Sequence, residues 1–158
     1  MAKLTAGLLA FRLSGAGELE VLLVHPGGPF WANKQEGAWS IAKGEHEPYE
    51  PASAAADREF REELGQDPPH GPRIDLGEIR QPSGKRLHVF AVEDDGIVDG
   101  EVKSNRFDLE WPPRSGRICS FPEVDRAEWT PAALARVRLS RGQVPFVDRL
   151  AEHVARPS

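Results

Sequence analysis

The chain has 158 residues, 39% of them hydrophobic and 28% charged, with a formal net charge of −5. That length fits one domain, residues 1–158, with a core of useful size. The acidic balance argues against a nucleic-acid-coating surface, which needs a basic stripe, and a lone cysteine, Cys119, excludes an internal disulfide.

Residues 4–13, LTAGLLAFRL, mix apolar and small side chains and read as a buried strand. Residues 19–25, LEVLLVH, form a second strand, and the turn at 14–17 joins the two as a hairpin. The Gly- and Pro-rich loop that follows carries Phe30 and Trp31 in succession. They either cap one end of the core, or one of them stacks on a nucleobase, a contact worth about 1–3 kcal/mol per base. No apolar run approaches the ~20 residues that span a bilayer. The N-terminus lacks a signal-peptide pattern. With a single thiol suited to a reducing compartment, the expectation is a cytoplasmic protein.

Residues 51–64 form the most informative helix. Pro51 suits the first helical position, where its missing N–H would be unpaired anyway. Gly65 is the natural stop, because glycine takes the left-handed cap at little cost. At ~100° per residue, Glu59, Glu62 and Glu63 fall within roughly a third of the circumference, beside an apolar face of Ala56, Phe60 and Leu64. Like charges three and four apart cost a helix about 0.2–0.5 kcal/mol per pair. Arg58 and Arg61 offset some repulsion, but the wheel places both off the glutamate face. Such a face is either a plain solvated surface or a seat for a divalent cation, since clustered carboxylates suit hard Mg²⁺ or Mn²⁺.

The spacing of the whole stretch separates these readings. It runs Gly44, five residues, Glu50, seven residues, then Arg58-Glu59-Phe60-Arg61-Glu62-Glu63-Leu64-Gly65. This resembles the Nudix box, G-x5-E-x7-R-E-U-x-E-E-x-G-U with U bulky and aliphatic, at all seven fixed positions. A chance match is on the order of one in a million at average residue usage, so composition alone does not account for it. Phe60 is aromatic where an aliphatic residue is usual, and Gln66 replaces the final apolar residue.

The resemblance implies an α/β/α sandwich around a mixed sheet and a divalent-metal-dependent hydrolase of pyrophosphate linkages. It implies that Glu59, Glu62 and Glu63, with the Gly44 carbonyl, hold Mg²⁺ or Mn²⁺. Arg58 would orient the glutamates, and Glu50 would pair with it or assist catalysis. The approach to the box, Trp39 through Lys43 and Gly44, partly resembles that of diadenosine polyphosphate hydrolases, with Ala42 where they carry proline. Lys43 would then contact a phosphate or else remain a solvated lysine. The histidines, His25, His46, His70, His88 and His153, are scattered and form no ligand spacing.

Residues 73–81 and 86–93 alternate as strands around a turn at 82–85. Residues 94–125 are loop-rich, with a strand at 105–111, and Arg117 in this stretch is assigned to substrate binding. Glu123, a short way before Trp129, resembles in position a further metal ligand or base in several Nudix enzymes; Asp125 is the near alternative. Residues 127–130 read as a last short strand. Helices follow at 132–139, opened by Pro131, and from Pro145 to about Val154. The general base stays open between Glu62 and Glu123. The substrate expected is a nucleoside or dinucleoside polyphosphate, then a nucleoside triphosphate or nucleotide sugar. The non-enzyme alternative is a silent nucleotide-binding module, disfavoured because every box carboxylate is present. The partner is thus a small nucleotide, with no membrane, nucleic acid not expected and the oligomeric state open.

Overall fold

The computed structural model describes residues 3–155. Its strands are β1 (Leu4–Leu13), β2 (Leu19–Pro26), β3 (Ala42–His46), β4 (Ile74–Arg80), β5 (Arg86–Glu93), β6 (Gly100–Glu101), β7 (Arg106–Glu110), β8 (Ile118–Pro122) and β9 (Val124–Pro131). Its helices are α1 (Ala52–Leu64), α2 (Ala132–Arg138) and α3 (Val144–Ala155). A seven-stranded sheet runs β4-β5-β1-β2-β9-β6, and β3 pairs with the N-terminal half of β1. β1 and β5 are parallel while the other pairs are antiparallel, so the sheet is mixed as expected.

The side-chain alternation of β1 builds both layers. Ala6, Leu8 and Ala10 join Ala55, Ala56, Phe60 and Leu64 of α1 on one face. Leu9 and Phe11 join Trp39, Ile41, Phe146 and Leu150 on the other, under α2 and α3. Thr5 through Phe11 are therefore all buried, as a central strand covered on two faces must be. The result is the α/β/α sandwich.

Several expectations change in detail. Pro51 is the N-cap of α1, with ψ 139°, and the helix begins one residue later. Pro131 caps α2 in the same way, and α3 starts one residue before Pro145. The approach to the box, given no element in the sequence, is strand β3, because its backbone pairs with β1 from Leu4↔His46 to Leu8↔Ala42. Its short polar run carries no alternation that would announce a strand. In the loop-rich stretch, β7 and β8 form a separate two-stranded hairpin. No helix among the described residues is long and apolar enough to cross a membrane.

Candidate active site

Three local features set the glutamates in place. Gly65 caps α1 in the left-handed conformation at φ 68°, and a side chain there would run into the Lys103 carbonyl. Phe60 and Leu64 lock the apolar face into the core, which turns the neighbouring acidic face toward β3. Gly44 of β3 then lies directly against the Glu59 carboxylate, in the space a Cβ would fill. Glycine at the start of the box is thus a requirement of close approach.

Arg58 is the hub of the cluster. Its Nε and Nη2 donate to the two carboxylate oxygens of Glu50 at 2.9 Å each, a bidentate pair. Its Nη1 donates to Glu59 Oε1 at 2.8 Å and to Glu62 Oε1 at 3.2 Å. The helical wheel placed Arg58 off the glutamate face; its long side chain folds back across that face. The Arg58 bond holds the Glu50 carboxyl below its ordinary value, and Glu50 in turn raises the guanidinium's.

Glu63 Oε1 accepts the Lys43 backbone N–H at 3.3 Å. Burial pushes the Glu63 carboxyl up to about 8, with Glu59 and Glu123 adding to the rise and Lys43 opposing it. Glu59, 9% exposed, is also raised, first by burial and then by Glu62. Among the described residues no three acidic, histidine or cysteine side chains already converge as a ligand set. The donors nonetheless fit a hard cation. Acidic groups held above their usual range by burial and one another are in an unfavourable crowd that a divalent ion relieves, and oxygen is the atom such ions prefer.

Glu123 reaches this cluster through the backbone. The Asn105 N–H donates to the Glu62 carbonyl at 3.0 Å, and the Glu123 N–H donates to the Asn105 carbonyl at 2.8 Å. The charge of Glu123 is felt at both Glu59 and Glu63. Asp125 is engaged elsewhere, at 3.0 Å from Nδ1 of the buried His25.

The remaining candidates disperse. Phe30 is 56% exposed and meets Trp111 edge-on at 5.3 Å, and Trp31 is 39% exposed beneath the Lys34 ammonium. Neither caps the core, so that expectation falls. Trp39 is fully buried, with Arg126 and Arg138 near its ring, and presents nothing to a ligand. Arg117 sits at the tip of the β7–β8 hairpin, six residues from Glu123, or about 20 Å of extended chain. Cys119 is a free thiol donating to the Trp111 carbonyl.

Lys43 behaves unexpectedly. Ala42 packs toward α1 and Gly44 touches Glu59, so the intervening side chain points to the opposite face of the sheet. There it lines a cavity of about 370 Å³ with Thr5, Lys85, Leu87, Arg141 and Gln143. Burial holds its ammonium below the ordinary value, while Glu63 works the other way. Thr5 was detectable in sequence as a hydroxyl inside an apolar strand. Lys85 and Arg141 carry no such signal, since each is one cation in a polar turn.

Solved structures share this fold. The NUDIX domain of Shewanella oneidensis NrtR, complexed with ADP ribose, matches at a TM-score of 0.63 and 16% identity, over 98% of this chain and 90% of that one. A C. elegans Ap4A hydrolase binary complex matches at 0.63 and 17%, over 96% and 98%. The MutT protein from Methanosarcina mazei Go1 matches at 0.60 and 18%, over 98% and 96%. No curated protein matches the chain. The NUDIX domain model covers residues 3–150, and with every fixed position of the box present the chain belongs to that family, as a hydrolase of phosphorus-containing anhydrides.

Proposed function

We propose that this protein hydrolyses the pyrophosphate linkage of a nucleoside or dinucleoside polyphosphate, using a divalent cation held by Glu59, Glu62, Glu63 and the Gly44 carbonyl. The observation that carries this reading is the carboxylate cluster bound to Arg58 and to the open edge of β3. A bound Mg²⁺ or Mn²⁺ supplies charge neutralisation for the phosphates and lowers the pKa of water.

The chain's own groups divide the remaining work. Arg58, anchored by Glu50, sets the orientation of Glu59 and Glu62. Glu62 is more open than Glu59, and its Oε2 makes no bond to Arg58, which supports it as the group that takes the proton of an attacking water. Glu123, entering from the β8–β9 junction, is the second candidate for that role. The substrate preference draws on the solved relatives: one is complexed with ADP ribose and another is an Ap4A hydrolase. Both compounds contain an adenosine diphosphate unit joined to a further group. Nucleoside triphosphates and nucleotide sugars follow as alternatives.

The test is a panel of dinucleoside polyphosphates, nucleoside triphosphates, ADP-ribose and nucleotide sugars, assayed with Mg²⁺ and Mn²⁺ and with products identified by mass. Glu63→Gln is expected to lower kcat at least about a hundredfold without unfolding the protein. Wild-type rates in that variant, or no turnover of any panel member, would defeat the reading. Comparing Glu62→Gln with Glu123→Gln identifies the base as the one whose loss also removes the acid limb of the pH–rate profile.

A further inference from the structure

Strand β9 is irregular at the end that meets the carboxylates. Its register against β2 slips by one residue there: His25 faces Arg126, Pro26 faces Val124, and Asp125 is the extra residue of a bulge. Ala127 and Trp129 pack toward α1, so strict alternation would put Asp125 on that same side. The slip seats Val124 in the α1 layer instead and turns Asp125 to the other side, beside His25 and Trp39. Glu123 lies at the bend between β8 and β9, where its charge is felt by Glu59 and Glu63. Its own carboxylate makes no hydrogen bond or ion pair among the described residues, so the backbone of the bend is what places it.

His25 holds that bulge. It is fully buried, with its ring edge-on to Trp39 at 4.9 Å. Nε2 lies 2.9 Å from the Lys34 carbonyl, which can only accept, so this nitrogen carries a proton. Nδ1 lies 3.0 and 3.2 Å from the two oxygens of Asp125. A bare Nδ1 would set a lone pair against a carboxylate, so a second proton sits between them. One ring thereby ties the bulge of β9 to the loop that leaves β2. The bend is clamped through its backbone as well. The Gly27 N–H donates to the Glu123 carbonyl at 2.9 Å, and the Val124 N–H donates to Ser104 Oγ at 3.0 Å. A side chain at Gly27 would collide with the Pro122 carbonyl, so glycine is what lets the loop come this close.

We propose that His25 and Asp125 are positioning residues: the buried pair draws Asp125 away from the α1 side, stabilises the bulge, and so fixes the bend that presents Glu123 to the carboxylates of α1. Asp125 then contributes through His25 and not as a ligand or base. The inference rests on the hydrolase reading, with Glu123 at the site, for its effect on turnover; its effect on the bend is measurable without any substrate.

The first experiment is amide hydrogen exchange, read by NMR on wild type, Asp125→Ala, Asp125→Asn and His25→Gln. Asparagine still bonds Nδ1, alanine does not, and glutamine reaches only the Lys34 carbonyl. Exchange at the Gly27 and Glu123 amides is expected to quicken at least about tenfold in Asp125→Ala and His25→Gln and to stay within about twofold of wild type in Asp125→Asn. Unchanged exchange in Asp125→Ala, or equal quickening in Asp125→Ala and Asp125→Asn, overturns the proposal whatever the protein hydrolyses. Because Asp125 is part-exposed, its variants carry this test even where the buried histidine does not tolerate replacement. The second experiment is a double-mutant cycle on diadenosine tetraphosphate with Mn²⁺. Asp125→Ala and His25→Gln are each expected to lower kcat at least about tenfold with KM within about twofold, and to have no further effect in a Glu123→Gln background. Equal factors in both backgrounds, or a loss in Asp125→Ala without one in folded His25→Gln, overturns the positioning role. Absence of turnover in wild type speaks against the hydrolase reading alone, and the exchange result stands apart from it.

Discussion

Two glycines of the box are constrained by different neighbours, and the difference is testable. At Gly44 a Cβ would occupy the position of the Glu59 carboxylate, which is the far end of a flexible side chain. Gly44→Ala should therefore leave the fold intact, since Glu59 swings aside, yet misplace a key carboxylate. We expect thermal melting close to wild type and Mn²⁺-dependent turnover lower by at least about tenfold. At Gly65 the obstacle is the Lys103 backbone carbonyl, and φ is 68°. Gly65→Ala should destabilise by about 1 kcal/mol or more, measured by denaturant unfolding, because neither the backbone strain nor the clash relaxes cheaply. Residue identity at both positions was legible from the box spacing. Why glycine is needed at Gly44 was not, because Glu59 meets it only across the helix–sheet interface.

Helix α1 serves as a rigid platform. Phe60, the departure from an aliphatic residue, is 1% exposed and fills the space between β1 and α1. Phe60→Ala should cost about 3–5 kcal/mol by the usual aromatic truncation in a core, read as a lower denaturation midpoint. The second departure, Gln66, has a plain structural role. Its Nε2 donates to the Val98 carbonyl at 2.8 Å, and its Oε1 accepts the Val98 N–H at 3.0 Å. This reciprocal pair ties the post-helix turn to the segment leading to β6. It replaces with polar bonds the contact an apolar residue would make. The amphipathic pattern of α1 was visible in sequence because its period is local. β3 was not, since a strand of alanine, lysine, glycine, glutamate and histidine is defined only by the β1 backbone beside it.

Across the whole molecule, protonation of the site should couple to stability. Burial raises Glu63 from 4.5 to about 8 in the folded protein, so the folded state binds more protons than the unfolded state between those values. The contribution is present below about pH 4.5 and is lost as pH rises toward 8. Metal-free protein should lose melting temperature across that window relative to Glu63→Gln, whose slope should be flatter. Saturating Mn²⁺ should reverse the trend, since binding to the folded state alone adds about 2.7 kcal/mol at a hundred times Kd. Scanning calorimetry at several pH values with EDTA and with Mn²⁺ measures both slopes. Taken by itself, the sequence determined the α1 platform, the box carboxylates, the β1–β2 and β4–β5 hairpins and the family, because helical period, strand alternation and fixed spacing are properties of neighbouring residues. Tertiary structure alone decided that Arg58 folds over the glutamates and that Lys43 turns away from them to join Thr5, Lys85 and Arg141. Those groupings arise from the pairing of distant strands and the face each side chain takes, and no local pattern along the chain encodes them.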